Sequence, residues 1–95
     1  MDLATDQLLL DTGAEMAASA AKHPWWPRCP FQALTILNEE VGELNKAVLQ
    51  FSCEPEKCVT RADIRAEAIQ VAAMALTFIL HMDNYSDDPK PTIRR

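Results

Sequence analysis

The sequence predicts an all-α fold: an antiparallel helical bundle in which three main helices per chain complete a four-helix-type bundle by oligomerisation. Three observations predict it. No segment alternates apolar and polar residues with the period of two that a half-buried strand requires, and the β-branched residues are scattered, not clustered. Leu34, Leu37, Val41, Leu44, Val48 and Phe51 recur at spacings of three and four, the seam by which one helix packs along another. From Ala68 to Leu80 the chain is apolar on every side, a pattern suited to a helix surrounded by others. Two partners from so short a chain can hardly surround it, so a homodimer or homotetramer is expected to supply the rest.

The first helix is expected from Thr5 to Lys22, with Leu9, Ala17, Ala20 and Ala21 available for packing and Lys22 and His23 near its negative C-terminal end. Gly13 lies inside it, at a cost of about 1 kcal/mol relative to alanine. Pro24 stops it, and the run from His23 to Pro30, with three prolines, must be a loop. Pro30 suits the opening of the second helix, where a missing N–H costs nothing. That helix is expected from Phe31 to Phe51. Ile36, Glu40, Glu43 and Ala47 form a second stripe on it, about 100° around from the seam, so that the two glutamates flank the core. Thr60 and Asp63 resemble a capping box opening the third helix, Thr60 to Met82. The short Ser52 to Val59 connection makes the second and third helices antiparallel. Residues 1–84 then form a single helical domain, and 85–95, with two prolines and mixed charge, read as a flexible C-terminal tail.

Fourteen Asp and Glu against nine Lys and Arg give a net charge of −5, with no basic run or basic-aromatic stripe to counter it. No nucleic-acid binding is expected on electrostatic grounds, although an acidic protein can act on a polyanion through a bridging cation. Asp2 and Asp6 stand where a secretory signal carries basic residues, and the stretch from Ala68 to Leu80 is too short to span a membrane. A cytoplasmic protein without membrane contact is the expectation. Cys29, Cys53 and Cys58 make an odd count without a CxxC pair and read as free thiols in a reducing compartment.

The sharpest chemical feature is Glu39-Glu40-x-x-Glu43 on the second helix. Carboxylates three apart share a face and repel, which a hard divalent cation such as Mg²⁺ or Mn²⁺ would offset. Glu67-x-x-Gln70 on the third helix repeats the spacing with a carboxylate and an amide oxygen, and both pairs fall toward the same end of an antiparallel pair. The plainer reading is a solvated acidic face with Lys46 and Arg65 as surface ion-pair partners. Glu39 points nearly opposite the apolar seam, as a solvated residue or as an outer ligand or base. Trp25 and Trp26 either cap the bundle or offer a flat face to a stacked base.

The run Ile36-Leu-Asn-Glu-Glu-Val-Gly-Glu-Leu-Asn-Lys-Ala-Val-Leu49, followed by Glu67-Ala-Ile-Gln-Val-Ala-Ala-Met-Ala-Leu76, resembles the MazG-like all-α nucleoside triphosphate pyrophosphohydrolases, whose motif is EExxE followed by ExxD. The resemblance spans roughly Trp25 to Met82. It implies an oligomeric four-helix bundle that binds Mg²⁺, or Mn²⁺, and cleaves an NTP or dNTP to the monophosphate and pyrophosphate, as in house-cleaning of non-canonical nucleotides. By position Glu40, Glu43 and Glu67 match the family's metal ligands, and Glu39 and Glu40 are its candidate catalytic acids. Gln70 departs from the motif: it stands where aspartate is usual, keeping an oxygen donor but removing a charge. Lys46, Arg65, Trp25 and Trp26 are the candidate substrate contacts. Two other readings stand beside this one, a non-catalytic nucleotide- or metal-binding member of the same fold and a plain helical interaction protein.

Overall fold

The first and third helices begin where a capping side chain satisfies a first-turn backbone N–H, and the second opens on a proline, which has no N–H to satisfy. In the computed structural model, which describes residues 2–87, Asp2 accepts the Thr5 N–H at 2.7 Å and opens α1 (Leu3–Lys22), two residues ahead of the expected start. Gly13 leaves α1 unbroken; a Cβ there would meet nothing within 4 Å, so the glycine serves no close approach. Pro30 is the first residue of α2 (Pro30–Cys53), and the buried Cys29 precedes it as N-cap. A 3₁₀ turn at Pro55–Lys57 and a left-handed Cys58, with φ of 56°, then reverse the chain. Thr60 caps α3 (Arg61–Leu80): its hydroxyl accepts the Asp63 N–H at 3.1 Å while the Asp63 carboxylate accepts the Thr60 N–H at 2.8 Å. Thr60 is thus the cap and not the first helical residue. At the other end His81 directs both its backbone N–H and its ring Nδ1 to the Thr77 carbonyl, and Met82–Asn84 form a 3₁₀ turn outside the helix proper.

The described residues contain three α-helices and no strand, with α3 in the middle. It packs against both α2 and α1, whereas α1 and α2 do not approach each other. Ala33 and Ala47 of α2 are buried together with Ile69, Ala73 and Met74 of α3. Thr12 is the buried residue of α1, and its hydroxyl donates to the Leu8 carbonyl at 2.8 Å.

The face that α2 turns inward differs from the expected one. It runs along Ala33, Ile36, Glu40 and Ala47, all buried or half-buried, with Leu37 and Leu44 of the expected apolar seam half-buried beside it, while Leu34, Val41 and Val48 of that seam remain 43, 44 and 41 % exposed. Small alanines let the α2 backbone settle close to α3, and that choice rotates the longer side chains outward. α3 is likewise not surrounded within one chain, because Leu76, Ile79 and Leu80 are exposed.

The loop after α1 is fastened to the end of α3. Trp26 donates its indole N–H to the Tyr85 hydroxyl at 2.9 Å, Tyr85 donates to the Phe78 carbonyl at 2.9 Å, and the Ser86 N–H reaches the Arg28 carbonyl at 2.8 Å. Tyr85 and Ser86 are therefore attached to the helical body; positions 88–95 of the expected tail lie outside the described residues. Among the described residues no helix is long and apolar enough to cross a membrane. The three cysteines are free thiols, Cys29 buried and the other two exposed.

Candidate functional site

The backbones of α1 and α2 stay apart on either side of α3, and a cavity opens between them. Its volume is about 640 Å³. Met74 and Thr77 of α3 line it along the middle, Met16 and Ser19 come from α1, and Ile36, Glu39 and Glu40 come from α2. Trp25, Trp26 and His81 line one end, where the proline-rich loop crosses the end of α3. The Trp26 and His81 rings are stacked, with centroids 5.5 Å apart and planes inclined by 24°. This is the size and partly aromatic character of a small-molecule site.

Glu40 connects the cavity to the acidic motif. It is half-buried on the packed face of α2, one turn from Ile36 and two turns before Ala47. Burial raises its carboxyl above the ordinary glutamate range, and the charges of Glu67, Glu43, Glu15 and Glu39, in that order, raise it further. Three helices therefore contribute to one negative field: Glu39, Glu40 and Glu43 from α2, Glu67 from α3 and Glu15 from α1. Glu67 is half-buried and Glu43 exposed; Gln70 is half-buried one turn beyond Glu67. No group of three His, Cys, Asp or Glu side chains among the described residues is gathered closely enough to hold a metal ion as it stands. The donor chemistry nevertheless suits a hard cation: carboxylate oxygens, one amide oxygen, and a central carboxyl that its neighbours make costly to ionise.

The remaining expected residues divide clearly. Trp25 and Trp26 line the cavity with Glu39 and Glu40, whereas Glu43, Glu67, Gln70, Lys46 and Arg65 do not. Lys46 is exposed on α2. Arg65 ties α3 to α1 through a 2.8 Å ion pair with Asp11, whose carboxyl is held below the ordinary range first by the Gln7 amide and then by Arg65. Sequence reasoning did not find Glu15, His81 or Tyr85. Glu15 lies one turn after Asp11, a spacing that signals a shared face, but only the docking of α1 on α3 brings that face to Glu40.

The chain matches no protein-family model, no curated protein and no solved structure.

Proposed function

We propose that this chain is a Mg²⁺-dependent nucleoside triphosphate pyrophosphohydrolase, active in the cytoplasm as a homodimer or homotetramer, with Mn²⁺ as an alternative ion. The observation that carries the reading is the position of Glu40. It sits half-buried on a packed helix face, surrounded electrostatically by four further glutamates, and borders a cavity with an aromatic end. Five carboxylates of like charge drawn from three helices weaken the fold unless a cation joins them.

Glu40, Glu43 and Glu67 would hold the ion, with the Gln70 amide oxygen as a neutral fourth donor. When bound, the ion supplies charge neutralisation for the triphosphate oxygens. Glu39, exposed at the cavity wall, orients a water toward the α-phosphorus and, together with Glu40, takes up its proton as the bond to the bridging oxygen breaks and pyrophosphate leaves. The half-buried tryptophans hold the base end of the substrate. Lys46 and Arg65 reach phosphate only if a neighbouring subunit or a side-chain rearrangement brings them there, since Arg65 is paired with Asp11 within the chain.

Pyrophosphate release from a panel of ordinary and modified NTPs and dNTPs, with and without Mg²⁺ or Mn²⁺, tests the reading. Metal-dependent turnover of at least one substrate, lost in Glu40→Gln, is the expected result. A folded, metal-supplied protein that turns over none of them would end the enzymatic version. Gln70 favours the alternative of a non-catalytic nucleotide- or metal-binding protein, because it removes one charge from the ligand set; activity created by Gln70→Asp in an inert wild type would establish that version. The apolar side chains exposed on α2 and α3 suit a third version, a helical interaction protein. It requires Glu43→Ala and Glu67→Ala to leave metal affinity unchanged.

A further inference from the structure

The connection between α2 and α3 carries two of the chain's three thiols. Cys53 is the last residue of α2, and Cys58 ends the 3₁₀ turn at Pro55–Lys57; both are exposed. Cys29 is fully buried as the N-cap at the opposite end of α2, out of reach of either. Among the described residues no three His, Cys, Asp or Glu side chains are grouped closely enough to hold a metal ion, and two thiols alone fall short of the four ligands of a structural zinc site. Two thiols on one short connection have a different chemistry open to them, which is to join each other.

The connection is tightly folded. The Lys57 N–H donates to the Glu54 carbonyl at 3.0 Å and the Cys58 N–H to the Pro55 carbonyl at 3.1 Å, so two overlapping turns occupy the path from Cys53 to Cys58. Each such turn holds its first and last Cα within about 7 Å, the separation below which a disulfide forms without moving the backbone. Cys58 is left-handed, with φ of 56°, and its Sγ stands 3.7 Å from the Glu56 carbonyl oxygen. That thiol therefore lies back over the turn, against the residues that lead from Cys53. Exposure opens both sulfurs to an oxidant, and neither is packed in the core.

We propose that Cys53 and Cys58 are a thiol modification site, at which an oxidant of the disulfide class closes a reversible intramolecular disulfide across the connection between α2 and α3. With glutathione disulfide the step balances. One protein thiolate attacks a sulfur of the oxidant and releases one glutathione; the second protein thiolate attacks the mixed disulfide so formed and releases the other. The two protein thiols give up two electrons and two protons, and the sulfur–sulfur bond of the oxidant is reduced to two thiols. Because the second attack is intramolecular and spans a short loop, the mixed disulfide does not persist. An exposed bond is open to thiol attack in turn, so reduced glutathione reverses it, as befits a redox-responsive bond in a reducing compartment. The bond ties the end of α2 to the residue two before the Thr60 cap of α3, a second covalent link between the helices that carry Glu43 and Glu67. It does not depend on the hydrolase reading.

Lys57 separates the two cysteines for trypsin, so the bond can be mapped directly. The full-length native chain is incubated with glutathione disulfide, its remaining thiols are alkylated after denaturation, and it is digested without reduction. The intact chain should lose the mass of two hydrogen atoms, in about tenfold or greater excess over any glutathione adduct. Peptide 47–57 should be found joined to peptide 58–61, with Cys29 recovered as the alkylated thiol, and dithiothreitol should part the two peptides. Cys53→Ser and Cys58→Ser, both at exposed positions, should each retain one glutathione on the thiol that is left. The oxidised wild type should melt no lower than the reduced form, while the double variant Cys53→Ser/Cys58→Ser melts alike with and without oxidant. Two glutathiones held on one chain, disulfide-linked dimers in place of the internal bond, a bond to Cys29, or no reaction at all would each overturn the proposal. So would an internal bond that lowers Tm, because the folded turn would then not fit the bridge.

Discussion

Trp26 and Tyr85 are joined across fifty-nine positions of sequence by a 2.9 Å hydrogen bond from the indole N–H to the phenolic oxygen. Tyr85 donates onward to Phe78 at 2.9 Å, and their rings meet at 5.0 Å. The phenol therefore links the end of α3 to the loop that walls the cavity. Tyr85→Phe keeps the ring contact but leaves a half-buried indole N–H and a carbonyl near the helix end without their partner. Stability should fall by about 1 kcal/mol in urea denaturation, and the tryptophan emission should move toward that of a solvated indole. An unchanged urea midpoint would show that water replaces the hydroxyl without loss.

Glu40 makes the metal-free fold lose stability as pH rises above the ordinary glutamate range. A carboxyl whose folded pKa is raised favours its protonated form, so its contribution to stability is full in acid and disappears as pH rises through the folded value. A divalent cation should reverse that loss. Millimolar Mg²⁺ should raise Tm by several degrees at pH 8 and by much less at pH 5, against a NaCl control of equal ionic strength. Glu40→Gln should raise Tm in the absence of metal at pH 8 and reduce the shift that Mg²⁺ produces. Equal Mg²⁺ shifts at both pH values would separate Glu40 from the cation.

Three aspartates, Asp2 and Asp63 exposed and Asp11 half-buried, act with the opposite sign. Hydrogen bonds lower the carboxyls of Asp2 and Asp63 as helix-capping groups, and the Gln7 amide and Arg65 lower that of Asp11. Their contributions are present above the ordinary aspartate pKa and vanish as pH falls through the depressed folded values. The metal-free protein should therefore be most stable in weak acid, above the aspartate range and below neutrality, in a thermal scan from pH 2 to 9. Thr60→Ala removes the hydroxyl that accepts the Asp63 N–H, and should lower stability at pH 7 by about 1 kcal/mol.

The ends of the helices could be read in the sequence because each depends on neighbours in the chain. Pro30 opens α2, and Thr60 with Asp63 opens α3, through local sterics and local hydrogen bonds. The acidic motif was legible for the same reason: Glu39, Glu40 and Glu43 share a helix by spacing alone. What spacing cannot specify is which of two apolar faces meets which partner. On α2 the stripe through Ala33, Glu40 and Ala47 faces inward while Leu34, Val41 and Val48 face out, an outcome decided by how closely α3 can approach. Glu15 entered the site, and His81 the cavity wall, only through the docking of α1 and of the proline-rich loop. Those contacts are non-local, and no periodicity within one helix encodes them.

The outward seam of α2 leads to the last prediction. Leu34, Val41 and Val48 are more than 40 % exposed in the single chain and lie in one row, so in water each leaves apolar area uncovered. Burying a valine fully contributes about 1.5–3 kcal/mol, and a two-fold symmetric contact would count each residue twice. Val41→Lys places a charge in the middle of the row without disturbing the buried alanines of α2. It should leave helicity intact in circular dichroism and raise the dissociation constant of the oligomer by about 100-fold or more, seen by analytical ultracentrifugation as a shift to monomer. Ala47→Lys, at a buried position, should instead unfold the chain. A wild type that is already monomeric at 100 µM, or an oligomer indifferent to Val41→Lys, would mean that some other surface, or no second copy, covers this row.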